Sequence, residues 1–455
     1  MKSIYNAYKS IVLIGMSVVL IAFCSCKKDW LDAKPNKALA VPSTVRDYQA
    51  LLDNSNSLFN IGAPGLGEIS SDNCYMTVPV LQAREIEERN SYIWAKDIYE
   101  GMTTLDWEEP YRRILNTNII LDGIQKVSKD ASVVNAWNNV KGSALFYRAF
   151  DFFNLSQVFA GTYTNGAANS ELGIPLRLSS NVNEKPVRSN LQHTYHQILS
   201  DLQQSITLLP VRPEYKTRPS KPAAFAMLSR VYLSMSDFES AGKYADSALR
   251  ITDSLIDYNT LKPSDARPFK RYNPEVIFHN LMLVYGGLVV SRMDTVLLKS
   301  YEVNDLRMSL FANSVNSRFK GSYDGTSSPF NGLATDEMYL IRSECKARLG
   351  DVSGAMADLN ALLVKRWKTG LFVPVVANST DEALVKILSE RRKELCFRGL
   401  RWTDLKRLNR EPKFAKTLTR VVDTQVYTLP PNDPRYVLPI PLTEIRISGI
   451  EQNPR

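Results

Sequence analysis

The chain has 455 residues, 44% of them apolar and 23% charged, so it can bury a sizeable core and is not a disordered polymer. Its formal charge is +9, from 56 Lys and Arg against 47 Asp and Glu, but the bases are interspersed with acids, which reads as a mixed solvated surface and not a nucleic-acid-binding stripe. Three histidines, and five cysteines with no C-x-x-C pair, argue against a multi-histidine metal centre, a zinc ribbon or a dithiol redox site.

Lys2 and Lys9 precede an uncharged stretch, residues 11–23, about half the roughly 20 residues a spanning helix needs but of signal-peptide size. The following Ala22-Phe23-Cys24-Ser25-Cys26 resembles a bacterial lipoprotein processing site, with Cys26, preceded by the small Ser25, as the lipidated residue. The expectation is a signal peptide over 1–25 and a mature body held at a membrane by acyl chains on Cys26; two or three chains hold far more firmly than one. Cys74, Cys345 and Cys396 then remain. Their odd number and spacing suggest no disulfide framework, and the last two fall in helical patterns, as buried thiols do.

Residues 29–54 begin as a proline-punctuated tether, and a helix is predicted after the capping candidate Ser43, through Val45, Tyr48, Leu51 and Leu52. Residues 59–98, rich in Gly, Asn and aromatics, read as loop with little regular structure. Helical spacing returns with Trp107, Tyr111, Ile114, Leu115, Ile119 and Leu121, and again over 131–160, whose aromatics from Phe146 to Phe153 form a core seam. A loop over 161–186 carries Gly173-Ile174-Pro175, and an amphipathic helix over 190–209 stops at Pro210.

Two helix-turn-helix units follow. In 223–251, Phe225, Leu228 and Tyr232 face Ala241, Ala245 and Ala248 across a turn at Ser236-Asp237. In 336–367, Tyr339 starts the first helix, and Ala355, Leu359 and Leu362 follow the Gly350-Asp351 turn. Large residues against small ones resemble tetratricopeptide packing, although Lys346 stands where an aromatic is usual. Between them, 253–333 reads as loops and short strands, with an apolar run over 276–290.

The catalytic inventory is thin. His193 and His196 are spaced to share a metal, but no third ligand accompanies them. There is no G-x-S-x-G elbow, P-loop or G-x-G-x-x-G after a strand. Glu108 and Glu109 point in different directions on a helix; Glu390 and Glu394 sit among Arg391, Arg392 and Lys393, where ion pairing along the helix accounts for them. No cofactor or metal is called for.

Cys26-Lys-Lys-Asp-Trp-Leu-Asp-Ala-Lys-Pro35 resembles the start of mature SusD/RagB-family lipoproteins, and Trp107-x3-Tyr111-x2-Ile114-x-Asn116, then Arg148-Ala-Phe-x-Phe-Phe-x-Leu155 with Gly173-Ile-Pro175, are similar to later family segments. The most specific match runs from Glu390-Arg-Arg-Lys-Glu-Leu-Cys-Phe-Arg-Gly-Leu-Arg-Trp-Thr-Asp-Leu to Arg407, departing from the pattern at Arg398 and Leu400. Leu438-Pro-Ile-Pro441, Glu444 and Gln452-Asn-Pro454 match the family's C-terminus.

The resemblance implies a mainly α fold: a tetratricopeptide-like helical repeat frame with an irregular, loop-rich ligand face and a few short strands. It would comprise an N-terminal region over 26–260, including the first repeat, and a C-terminal region over 261–455, joined in one unit. It implies a non-catalytic lipoprotein on the outer face of the outer membrane that captures oligosaccharides. It would deliver them to a SusC-like, TonB-dependent β-barrel, contacted through helices 223–251 and 336–367. Peptide capture of the RagB kind and an all-helical glycoside hydrolase are the alternatives. Sugar capture needs exposed aromatic faces and planar hydrogen-bonding groups. The candidate ligand residues are therefore loop residues: Asp72, Asn73, Tyr75, Tyr92 and Trp94, then Tyr285, Tyr323 and Phe330, each with a core role as the alternative, Trp94 above all.

Overall fold

The computed structural model describes residues 42–455; Cys26, the signal segment and the Trp30-Leu31-Asp32 motif lie outside the described residues. The first helix, α1 (Val45–Leu52), is capped by Thr44, one residue later than expected. The Thr44 hydroxyl accepts from the Asp47 amide at 3.2 Å and the Asp47 carboxylate accepts from the Thr44 amide at 2.9 Å, a reciprocal pair that Ser43 is placed too early to make. The long helices α2 (Leu105–Ile124), α3 (Val134–Phe159) and α4 (Leu191–Leu208) follow, then α5 (Lys221–Ser234) with α6 (Phe238–Leu249), α7 (Thr335–Arg348) with α8 (Val352–Leu363), α9 (Thr380–Glu394) and the shorter α10 (Arg401–Leu408). Side-chain caps mark their starts: Asn190 for α4, Ser220 for α5, Asp237 for α6, Asp351 for α8 and Ser379 for α9.

Each long helix packs on the next in sequence, from α2 through α8, and α7 also carries α9. Residues 44–455 form one compact unit around this array. The two repeat units expected from large-against-small patterning are present and share an equivalent hydrogen bond. In the first, the Ser229 hydroxyl donates to the Ala241 carbonyl (2.9 Å); in the second, Ser343 donates to Ala355 (2.7 Å), at the same separation in sequence. Ala241, Ala245 and Ala248 are fully buried. A Cβ on Gly242 would lie 3.0 Å from the Cys345 Cβ, so glycine there sets how closely α6 approaches α7. Lys346 has an ionic substitute for the usual aromatic, since its ammonium reaches Asp358 at 2.8 Å.

The helices are stapled by buried guanidinium–carboxylate pairs: Arg113 to Asp151, Arg148 to Asp201, Arg230 to Glu337 and Arg407 to Glu344, at 2.6–2.7 Å. Breaking such a pair leaves an uncompensated charge in the interior, which costs several kcal/mol and ties the packing to one register. The Glu390–Arg407 segment uses the same device, and here the sequence expectation is corrected. Within residues 390–394, Lys393 to Glu390 pairs along α9, but Glu394 meets Arg366 and Arg307, Glu390 also meets Arg307, and Arg391 meets Asp404 on α10. Leu395, Phe397 and Trp402 are buried as expected.

Strands are few and pair as two-stranded antiparallel ribbons: β1 (Cys74–Tyr75) with β5 (Arg292–Met293), β2 (Leu172–Pro175) with β3 (Arg188–Asn190), β4 (Val276–Phe278) with β6 (Leu333–Ala334), and β7 (Leu418–Val422) with β8 (Gln425–Leu429). Only part of the apolar run 276–290 is strand, because its end forms the short helix Gly286–Val290. The segment 59–98 is irregular but holds three short helices: Leu66–Ser70, Val78–Gln82 and Ile86–Tyr92. The three thiols Cys74, Cys345 and Cys396 are free and buried. Among the described residues, no helix is long and apolar enough to cross a membrane.

Candidate functional site

Four of the eight ligand candidates converge. Asp72, Tyr75, Tyr92 and Trp94 line one groove of about 680 Å³ together with Asp294, Val296 and the β7 residues 418–421. Its floor is a small core of its own, in which Trp94, Trp402, Leu405, Leu418, Leu429 and Tyr436 pack together. The β7–β8 hairpin forms the wall opposite residues 72–94. It went unrecognised in the sequence, although the alternation in Leu-Thr-Arg-Val-Val and Gln-Val-Tyr-Thr-Leu around Asp423-Thr424 is a hairpin signal.

Within the groove the candidates divide by exposure. Tyr75 is 41% exposed and presents its ring to solvent. Tyr92 and Trp94 are each 2% exposed, because Arg420 lies across them: its guanidinium carbon is 3.6 Å from the Tyr92 ring centre and 4.8 Å from that of Trp94. Arg420 donates to the carbonyls of Ile69 (3.0 Å), Ser71 and Tyr92. The polar ends of both rings are also occupied, the Tyr92 hydroxyl accepting from the Met76 amide and the Trp94 indole donating to the Ser70 carbonyl. Tyr92 and Trp94 therefore build the wall, and Tyr75 is the available stacking face.

Asp72 sits at the centre of a cationic clamp. Its carboxylate accepts from Arg401 at 2.6 and 3.0 Å and from Lys416 at 2.8 Å, with Arg392 at 3.4 Å. Burial alone would raise its pKa, but Arg401, then Arg392 and Lys416, hold the carboxyl well below the usual range. Asn73 is buried beneath, its amide nitrogen donating to Glu68 at 2.9 Å. Glu68 also accepts from the Phe397 and Gly399 amides and ties this loop to the segment after α9; burial pushes its pKa up to about 7 against those hydrogen bonds.

The other three candidates lie elsewhere, in the interior. The Tyr285 hydroxyl donates to Asp106 at 3.0 Å and its ring packs on Gly65. Tyr323 is fully buried, donating to Glu275 at 2.8 Å beside Tyr258, and Phe330 packs against it and His279. Their ring faces are filled by neighbours, so in this conformation they offer no stacking surface. Glu275, Asp336 and Glu394 bring carboxylate oxygens within 4.8 Å of one another, but Arg366, Arg398 and Arg307 neutralise them, which makes the trio the centre of an ion network. His193 and His196 are both exposed on α4, and among the described residues neither joins a group of three possible metal ligands.

A second groove of about 370 Å³ lies between α2 and the 175–186 loop. It is lined by Trp107, Tyr111, Pro175, Val182 and Glu444 among others, with the Trp107 and Tyr111 ring centres 4.8 Å apart. Trp107 is 5% exposed and Tyr111 half-buried, so both serve mainly as core on the helically spaced face of α2.

Residues 29–233 match a protein family described as starch-binding and associating with the outer membrane, and residues 334–455 match the SusD family. A curated relative, the SusD-like protein P2 of Formosa agariphila, is 29% identical over 160 residues, which is 35% of this chain and only 29% of the relative's length. Among solved structures, a SusD superfamily protein from Bacteroides thetaiotaomicron is 23% identical with a TM-score of 0.73, covering 90% of this chain and all of that one. A SusD-like carbohydrate-binding protein from Bacteroides vulgatus gives 20% and 0.70, covering 90% and 97%. A laminarin-binding SusD-like protein gives 17% and 0.64, covering 90% and 98%. At these identities the structural matches establish the fold.

Proposed function

This chain belongs to the SusD/RagB family, and from that premise we propose that it is a surface lipoprotein that captures oligosaccharides in the groove between residues 72–94 and the β7–β8 hairpin. The observation that carries the reading is the groove itself. It combines one solvent-facing aromatic ring, Tyr75, with walls whose hydrogen bonds are already satisfied and a polar rim of Lys416, Thr417 and Thr419. A sugar ring can stack on Tyr75 while its hydroxyls exchange hydrogen bonds with that rim. Rigid walls avoid the ordering cost that a collapsing site would incur.

The family's description as starch-binding and outer-membrane-associated supports the substrate class and the compartment. Delivery to a SusC-like, TonB-dependent barrel, anchorage through Cys26, orientation towards the exterior and absence of catalysis complete the proposal. The barrel would be met by α5–α6 and α7–α8. There Phe225, Tyr232 and Tyr244 form a half-buried aromatic row, with Tyr232 and Tyr244 stacked at 5.6 Å. Aromatic rows of this kind supply anchors at protein interfaces.

The test is binding of the full chain to a panel of polysaccharides and peptides, each assayed for breakdown products. Retention on a glycan without cleavage, lost in Tyr75→Ala, is the expected result. Cleavage would replace the reading with a glycosidase, and retention on peptides alone would replace it with peptide capture.

A further inference from the structure

The rim of this groove carries a charge feature that neutral-sugar binding does not use. In the β1–β5 ribbon Tyr75 lies directly opposite Arg292, and Arg292 lies opposite Arg318 on its other side. Directly paired residues project from the same face of a ribbon, about 5 Å apart. The alternate residues Cys74 and Met293 point into the core, so Tyr75, Arg292 and Arg318 form one outward row. Both arginines are exposed. Among the described residues, neither side chain makes an ion pair or hydrogen bond, and neither guanidinium lies over an aromatic ring. The buried arginines Arg113, Arg148, Arg230 and Arg407 are by contrast each held by a carboxylate. Two like charges set side by side repel, and among the described residues no carboxylate pairs with either of them.

The carboxylates near the row do not fill the role. Asp72 is held by Arg401, Lys416 and Arg392. Asp294 accepts from the Val296 and Leu297 amides and from Arg392. Asp423, at the hairpin turn, is the one lining carboxylate that no cation binds, and it is exposed to water. The cations that line the groove, Lys416 and Arg420, are likewise engaged, with Asp72 and with backbone carbonyls, so Arg292 and Arg318, at the groove's edge beside Tyr75, are the cations left for a ligand.

We infer that the ligand is an anionic glycan, one carrying carboxylate or sulfate groups, with Arg292 and Arg318 binding the anion at the groove's edge while Tyr75 stacks on an adjoining ring. The guanidinium fork suits both groups, since its planar donors match two oxygens of either. The inference rests on the capture reading above and deepens it.

The test uses the full chain and glycan pairs that share a backbone and differ in charge: polygalacturonate with its methyl ester, and a sulfated galactan with its desulfated form. The expected result is binding of an anionic member at least about tenfold tighter than its neutral partner, with the advantage shrinking as salt shortens the range of the attraction. The double variant Arg292→Gln/Arg318→Gln should lose that advantage yet keep the parent's melting temperature, because both side chains are exposed. Equal or tighter binding of the neutral members overturns the anion inference and leaves glycan capture standing. An anion preference unchanged in the double variant overturns the assignment to these arginines. Retention on polyglutamate with no glycan bound overturns both readings, as does no binding to any probe.

Discussion

Replacing Asp72 by Asn removes the negative centre of the clamp while keeping its volume. Arg401 is then left largely buried without its anion, at 13% side-chain exposure, whereas Arg392, at 14%, keeps Asp294 at 3.3 Å and Lys416, at 45%, can turn to water. Removing one partner of a buried pair costs about 3–5 kcal/mol, and the partial exposure of Lys416 places this case near the lower end, about 3 kcal/mol. Unfolding entropy near the melting point is about 2.1 cal/mol/K per residue, so the unit 44–455 carries about 0.9 kcal/mol/K. The melting temperature of Asp72→Asn should therefore fall by about 3–4 °C. The pH dependence is a second check. Asp72 is held below the ordinary carboxylate range in the fold, so its contribution is complete above the unfolded value, about 3.9, and disappears as pH falls through the lower folded value. The difference between parent and variant should be flat between about pH 5 and 8 by scanning fluorimetry or calorimetry. A variant melting within about 1 °C of the parent, or a difference that changes across that window, would refute the clamp as a stabilising element.

Glu68 shows the opposite sign: its pKa is raised to about 7 in the fold, so between its ordinary value and 7 the folded state holds the proton more tightly and stability falls as pH rises. Glu68→Gln should flatten that slope in melting curves, and should also lose about 1–3 kcal/mol by turning an amide donor either towards the Gly399 amide or towards the Phe397 amide and Asn73. A Cβ on Gly123 would come within 2.1 Å of the Tyr48 hydroxyl and 2.4 Å of its ring, so Gly123→Ala should displace α1 and cost about 1–3 kcal/mol, read by chemical denaturation. Burial pushes the Cys74 and Cys396 thiols up to about 12 and raises Cys345 as well, so a thiol reagent followed by peptide mass spectrometry should label none of the three until the chain is unfolded. Alanine at Tyr232 and Tyr244 should weaken capture of the barrel partner without affecting glycan retention; an unchanged pull-down would remove this face from the interface.

Local chemistry determined much of this protein in advance. Apolar spacing announced the long helices. Asn190, Asp237 and Asp351 marked where three of them start, and alanines facing aromatics gave the two repeat units, because these features depend on residues a turn or two apart. The buried thiols of Cys345 and Cys396 and the apolar anchors Leu395, Phe397 and Trp402 were legible for the same reason. Pairing across the fold was not. Glu394 and Arg391 look like partners along one helix, yet desolvated charges take the best geometry available, and that geometry came from Arg366, 28 residues away, and from Asp404 on another helix. Tyr75, Tyr285 and Tyr323 are alike as loop aromatics, and only packing left the first exposed and buried the other two. The groove itself joins Asp72 to Lys416, 344 positions apart, so it exists only where α9 and α10 bring the hairpin against the early loop. Contacts at that separation are fixed by the sum of the core packing, and no local pattern encodes them.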